Sequence, residues 1–187
     1  FSERIETLNF LENTLTRDLG LKADQIQQLH GGMDDITQQD IVEKFSKREE
    51  KVRVLLCSDV ASEGINLHHL SHRLVHFDLP WSLMVFQQRN GRVDRYGQTQ
   101  EPEIYYLITE SVNETIRGDV RILEILQEKD DQAYKNIGDP ATFLGVYDVV
   151  EEEKIIADAM LTMQAEEFDA QYTPQTEPNE GDDILAD

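Results

Sequence analysis

Two hydrophobic rhythms alternate along the chain up to about residue 110. Apolar positions three and four apart run near residues 3–19, 37–47 and 82–95, and between and after them sit the short runs IQQL, VRVLLC, RLVHF and EIYYLI. The first spacing marks a helix with one apolar face, and short apolar runs bounded by polar turns mark buried strands. Alternation of the two predicts an α/β fold, a parallel sheet with helices on its faces. Ser2 is a candidate cap for the first helix, and Phe1 reads as the last residue of a strand, so the chain is expected to be part of a longer protein. Two longer helical patterns follow at 118–136 and 151–168, joined by GDPATFLGVYD, whose Gly and Pro mark a turn. They predict a helical C-terminal extension. Val120, Leu123, Leu126 and Ala133 form the apolar stripe of its first helix, a pattern that fits core packing.

Charge changes the picture at the far end. The formal net charge is -21, and residues 151–187 hold twelve Asp or Glu against one Lys. QYTPQTEPNEGDDILAD, with two prolines and few large apolar residues, is expected to be a mobile acidic tail over 171–187. Such an acidic chain is a poor candidate for broad wrapping of nucleic acid, which needs Lys and Arg to neutralise phosphates. The single cysteine, Cys57, lies in an apolar run and cannot form an internal disulfide, so a reducing, cytoplasmic setting is expected. No apolar stretch is long enough for a membrane span, and FSERIETL lacks the features of a secretion signal.

In an open parallel sheet, ligands lie beyond the carboxyl ends of the strands. Three polar segments are expected at that edge: HGG at 30–32, SDVASEG at 58–64 and DLPW at 78–81. Gly31 and Gly32 would let backbone approach an anion, and Ser58 or Asp59 could cap a short helix aimed at phosphate, although a glycine pair after a strand is also an ordinary turn. His68, His72 and His76 have helical spacing that suits a metal, but His76 falls inside a strand pattern, and packing histidines explain them as well. QQRNGRVDRYGQ, at 87–98, is the most pointed segment. On a helix over 82–95, Gln88, Arg92 and Arg95 share one face, and no lysine occurs between Lys51 and Lys129. Arginine offers a planar, permanently charged fork for phosphate oxygens, although a solvated face with Asp94 as local partner is the plainer alternative. Gly91 in mid-helix would cost about 1 kcal/mol against Ala, which suggests close approach by another group.

LLCSDVASEGINL resembles motif V and QRNGRVDRYGQ resembles motif VI of the superfamily 2 helicases, nearest to the bacterial Snf2-like ATPases. HGGMDDITQQDIVEKF is similar to the segment between motifs IV and V, and FSERIETLNFLENTL to motif IV, so the similarity runs in family order over about residues 1–110. It implies a RecA-like C-terminal lobe over residues 1–115, a helical extension over 116–170 and the tail. This second lobe of a two-lobed motor would close on ATP and magnesium held mainly by an N-terminal RecA-like lobe. The resemblance places Arg92 and Arg95 at the γ-phosphate as arginine fingers with Gln88 nearby, Asp59, Gly64 and Asn66 at the nucleotide cleft, and Gly31, Gly32, Ser58 and Arg4 toward a nucleic-acid backbone, by analogy duplex DNA. Motif V departs from the usual eukaryotic remodeler form, and Gly91 stands where many remodelers carry an acid, which points toward bacterial relatives that associate with RNA polymerase or act in phage defence. Nothing in the chain reads GxxxxGK[ST], and DDQA at 130–133 comes too late in the order to be a magnesium site, so the chain alone is expected not to hydrolyse ATP. A non-catalytic module that docks a protein partner through the helical extension is the rival. A free-standing Rossmann-type enzyme is weaker, for want of GxGxxG.

Overall fold

The computed structural model describes residues 1–59, 65, 67–69, 71–110, 112, 118–136, 150, 151, 153, 154 and 157. Helix α1 (Ile5–Leu19) leads to β1 (Ile26–Leu29), α2 (Asp35–Phe45), β2 (Val54–Cys57), β3 (Arg73–His76), α3 (Leu83–Asn90), β4 (Glu103–Tyr106) and α4 (Gly118–Asn136). β1 pairs with β2 in parallel, Ile26 opposite Val54, and β3 pairs with β4, Arg73 opposite Glu103. Phe1 and Ser2 bridge the two pairs. The Ser2 N–H donates to Cys57 O at 3.1 Å, the Phe1 amino group to Val75 O at 2.7 Å, and the Phe77 N–H to Phe1 O at 2.9 Å. The first two residues thus occupy a strand position between β2 and β3.

Alternation along the strands sends side chains to opposite faces. Val54 and Leu56 meet Leu8, Leu11 and Leu15 of α1, while Leu55 and Cys57 meet Ile41 and Val42 of α2. Both faces of this half of the sheet are therefore covered, as an all-parallel sheet requires. Over β3 and β4 the core is built by α3 and α4: Leu83, Phe86, Ile122 and Leu126 are buried together, with Tyr106 packed against them. α4 packs through Ile122, Ile125 and Leu126; of the expected stripe Leu126 is buried and Leu123 packs partly buried against the same cluster, whereas Ile122 and Ile125 lie outside that stripe.

Local chemistry sets the ends of these elements. α1 stops at Gly20, whose φ of 63° is the left-handed conformation that favours glycine. α2 starts at Asp34, whose side chain accepts from the Thr37 N–H at 3.0 Å. Ser2 is not the cap of α1. Arg4 holds that position without a side-chain bond, because Ser2 is tied into the sheet and its Oγ donates to Asp78 Oδ2. α3 is also shorter than its pattern suggests and ends at Asn90. Beyond it the amides reach back three residues, Arg92 N–H to Arg89 O and Val93 N–H to Asn90 O, both 3.1 Å, which tightens the chain and brings Val93 into the core at 2% exposure. Residues 151, 153, 154 and 157 are helical, within the expected 151–168 helix, and Val150 just before it is helical too, whereas the tail lies outside the described residues.

Candidate functional site

At their described residues, the three expected strand-end segments share one edge. The Ser58 N–H donates to Leu29 O at 2.9 Å, which sets the end of β2 beside the end of β1, and Asp59 and Asp78 converge on a single arginine. That arginine is Arg89, to which the sequence pattern assigns no role. It is 1% exposed and lies on the apolar stripe of α3, three residues after Phe86. Nε donates to Asp59 Oδ1 at 2.6 Å and Nη2 to Asp59 Oδ2 at 2.7 Å, the side-on fork that arginine alone can make. Nη2 also donates to Asp78 Oδ1 at 3.2 Å, and Nη1 to Asp78 O at 2.8 Å and to His76 Nδ1 at 3.4 Å. Every N–H of the guanidinium is used. The Phe1 ring lies beneath it, 5.9 Å from Cζ.

The network continues on both sides. Asp78 also accepts from Ser2 Oγ and the Glu3 N–H, so the first residues, the end of β2, the end of β3 and α3 are fastened at one point. Because Arg89 donates to His76 Nδ1, the imidazole carries its proton on Nε2 and donates to Asn90 Oδ1 at 2.8 Å. Asn90 Nδ2 then donates to Tyr106 Oη at 3.4 Å, and the His76 and Tyr106 rings stack 4.8 Å apart. Gln87 Nε2 donates to Asp130 Oδ1 at 2.7 Å, so the first acid of DDQA anchors α4 to α3.

Burial, with the positive charge of Arg89 adding to it, pushes the His76 pKa from 6.5 down to about 4, although the Asn90 bond acts the other way. The folded protein binds this proton less readily than the unfolded chain, so the stability from neutral His76 is complete above about pH 6.5 and is lost as pH falls toward 4. The shift corresponds to about 3 kcal/mol. Urea unfolding at pH 7 and pH 4.5 should show a steeper loss in the wild type than in His76→Gln, and equal losses would refute the assignment. Cys57 is 1% exposed, and burial pushes its thiol up to about 12. It should react with a thiol reagent only on unfolding.

The two arginines picked out from the sequence lie past the end of α3, so the shared helical face of Gln88, Arg92 and Arg95 does not exist as expected. Gln88 is within α3, whereas Arg92 and Arg95 sit in the turn that follows it. Arg92 Nη1 donates to Ile65 O at 3.1 Å, which ties this turn to the segment after β2. Arg95 is exposed, and its charge helps to lower the pKa of His68, after burial and His69. Gly97, at φ 96°, closes the turn, and a Cβ there would lie 3.7 Å from His68 Nε2. Gly91 caps α3 at φ -63°, and a Cβ on it would meet the Gln87 carbonyl at 3.2 Å. The close approach that seemed to call for glycine comes from the helix's own preceding turn.

The other candidates divide by location. Both oxygens of Asp59 are committed to Arg89, while Gly64 and Asn66 lie outside the described residues. Gly31 and Gly32 are exposed, although the Gly32 N–H donates to His30 Nδ1 at 3.2 Å. Ser58 is 4% exposed, and Arg4 is exposed at the start of α1. His68 and His72 precede β3 and His76 ends it, and no group of metal-ligating residues forms among the described residues.

Known proteins are similar to this chain in sequence and fold. The RNA polymerase-associated protein RapA of Photobacterium profundum is 37% identical over 102 residues, 54% of this chain and 10% of that protein. RapA of Vibrio cholerae serotype O1 (strain M66-2) is 35% identical over 104 residues, 56% of this chain and 10% of that protein. The chain thus spans about a tenth of the length of these relatives. The crystal structure of the C-terminal part of the Fun30 ATPase domain superposes with a TM-score of 0.56 at 24% identity, covering 84% of this chain and 47% of that one. The C-terminal domain of the DEAD-box protein Dbp5 gives 0.52 at 19% identity, over 84% and 79%. Both likenesses support the RecA-like fold. With residues 1–97 matching the model of the helicase conserved C-terminal domain, the chain belongs to that family, as a superfamily 2 C-terminal lobe.

Proposed function

We propose that this chain is the second lobe of an ATP-dependent nucleic-acid translocase, acting on duplex DNA, whose N-terminal RecA-like lobe holds ATP and magnesium. Arg92 and Arg95 are its arginine fingers, with Gln88 nearby. The observation that carries this reading is the Arg92 bond to Ile65 O, which sets the arginine turn against the SDVASEGIN segment. Exposed Arg95 adds a charge that can face outward across a lobe interface. Bound ATP supplies the phosphoanhydride whose cleavage drives the motor. The lobe's own part is to present two preorganised guanidiniums to the charge on the γ-phosphoryl oxygens.

Asp59 acts in this scheme through Arg89, since its oxygens fix that guanidinium and with it the start of the SDVASEGIN segment. Gly64 and Asn66 complete the nucleotide side. Gly31, Gly32, Ser58 and Arg4 face a phosphate backbone on the carboxyl edge, through contacts that are few and local, as the -21 charge demands. A buried, high-pKa cysteine suits the cytoplasm, and no helix among the described residues is long and apolar enough to cross a membrane. The test is nucleotide binding. The 187-residue chain should bind a non-hydrolysable ATP analogue only weakly, while the protein bearing both lobes should show DNA-stimulated ATPase activity. Tight binding by this chain alone would contradict the division of labour.

A further inference from the structure

A cleft of about 620 Å³ opens at the carboxyl ends of β3 and β4, and the motor reading does not account for it. Phe77, Leu79 and Val85 form its apolar floor. Trp81, Leu107 and Ile108 stand at its mouth with 37%, 48% and 38% of their surface exposed. Around them are five carboxylates, Glu3, Asp59, Asp78, Asp119 and Glu153, against two guanidiniums, Arg4 and Arg89. Arg89 is already shared between Asp59 and Asp78.

This combination selects its ligand. A phosphate backbone would meet an excess of negative charge, and a plain hydrocarbon would strip water from carboxylates without compensation. A cation on an apolar stem satisfies both parts. The methylenes of lysine or arginine lie along the floor, and the charged head reaches the carboxylates or the Trp81 ring. The volume falls within the roughly 300–1,000 Å³ of ordinary ligand sites and holds a few side chains. The chain's own lysines around α2 are engaged elsewhere, Lys44 with Asp40, Lys47 with Glu43 and Lys51 with Asp24.

We infer that this cleft docks a segment of a partner protein in which lysine or arginine alternates with leucine or an aromatic residue. The net charge of -21 steers such a segment inward. Arg4 and Asp59 line the cleft and also serve the motor reading, but Glu3, Trp81, Asp119 and Glu153, which give the cleft its selectivity, do not, so substitutions at Glu3 and Glu153 test the inference separately from that reading.

Trp81 is the single tryptophan, so its fluorescence reports on the cleft directly. The 187-residue chain would be titrated with a short synthetic peptide of alternating Lys and Leu, a Lys–Ser peptide, a Glu–Leu peptide, spermine and a short DNA duplex. The Lys–Leu peptide should change Trp81 emission saturably. The Lys–Ser peptide and spermine should bind about 10-fold more weakly or worse, having lost the apolar contact. The Glu–Leu peptide and the duplex should leave the signal unchanged. Glu3→Gln and Glu153→Gln, both at the rim, should each weaken the Lys–Leu peptide by about 2- to 5-fold with unaltered far-UV circular dichroism. A silent Trp81, equal binding of spermine or the Lys–Ser peptide, indifference to both substitutions, or competition by the duplex would each overturn the proposal.

Discussion

Arg89→Ala should destabilise the folded chain by about 3–5 kcal/mol, the cost typical of removing one partner from a buried ion pair. Arg89 is among the largest fully buried side chains, so the substitution opens a void and also leaves Asp59, Asp78 O and His76 Nδ1 without their donor. Against a typical stability of about 5–15 kcal/mol, this is a large share. Arg89→Lys should recover little, since an ammonium cannot fork onto Asp59 while reaching Asp78 and His76. Asp59→Asn should cost less, about 1–2 kcal/mol, because Asp78 still accepts from the guanidinium and the Asp59 side chain keeps 23% exposure. Urea denaturation of the three variants would measure these differences. A loss under about 1 kcal/mol for Arg89→Ala would mean that the cluster only accompanies the packing.

The second large effect concerns activity. In the protein that carries both lobes, Arg92→Ala or Arg95→Ala should lower kcat for DNA-stimulated ATP hydrolysis by about 10³–10⁵, with little change in ATP affinity. An arginine finger meets charge that develops on the γ-phosphoryl oxygens, so its removal affects the transition state more than the ground state. Arg95 is exposed, and its substitution should leave the urea midpoint unchanged. Arg92 also holds Ile65 O, so a small stability loss should accompany its catalytic one. Arg89→Ala would lower activity through unfolding, and the two measurements together separate these roles. Full turnover in both Arg92→Ala and Arg95→Ala would favour the non-catalytic interaction module.

Legibility from sequence differed between these arginines for a physical reason. IQQL and RLVH stand as β1 and β3 because short apolar runs bounded by polar turns have few other ways to be buried. The helical pattern over 118–136 forms α4. Motif order was equally readable, and residues 1–97 match the helicase family. The end of α3 was not, because Val93 keeps the helical spacing from Phe86 and no proline intervenes, and nothing local reveals that the Arg92 and Val93 amides reach back three residues. One clue to Arg89 was present: it sits three positions from Phe86 on the buried side of α3, where a charge needs partners, and Asp59 and Asp78 each follow a strand.

By itself, then, the sequence determined the order of strands and helices, the burial of Cys57 and the membership of the helicase C-terminal domain family, since these depend on patterns within short windows and on motif order. Only the tertiary structure decided which of three neighbouring arginines is spent inside the protein. That choice depends on Asp59 and Asp78, 30 and 11 residues away in the chain, being carried to the same sheet edge as Arg89. The acidic mouth beside Trp81 arises in the same way. Its carboxylates come from separate elements and become one feature only when the strands align in parallel.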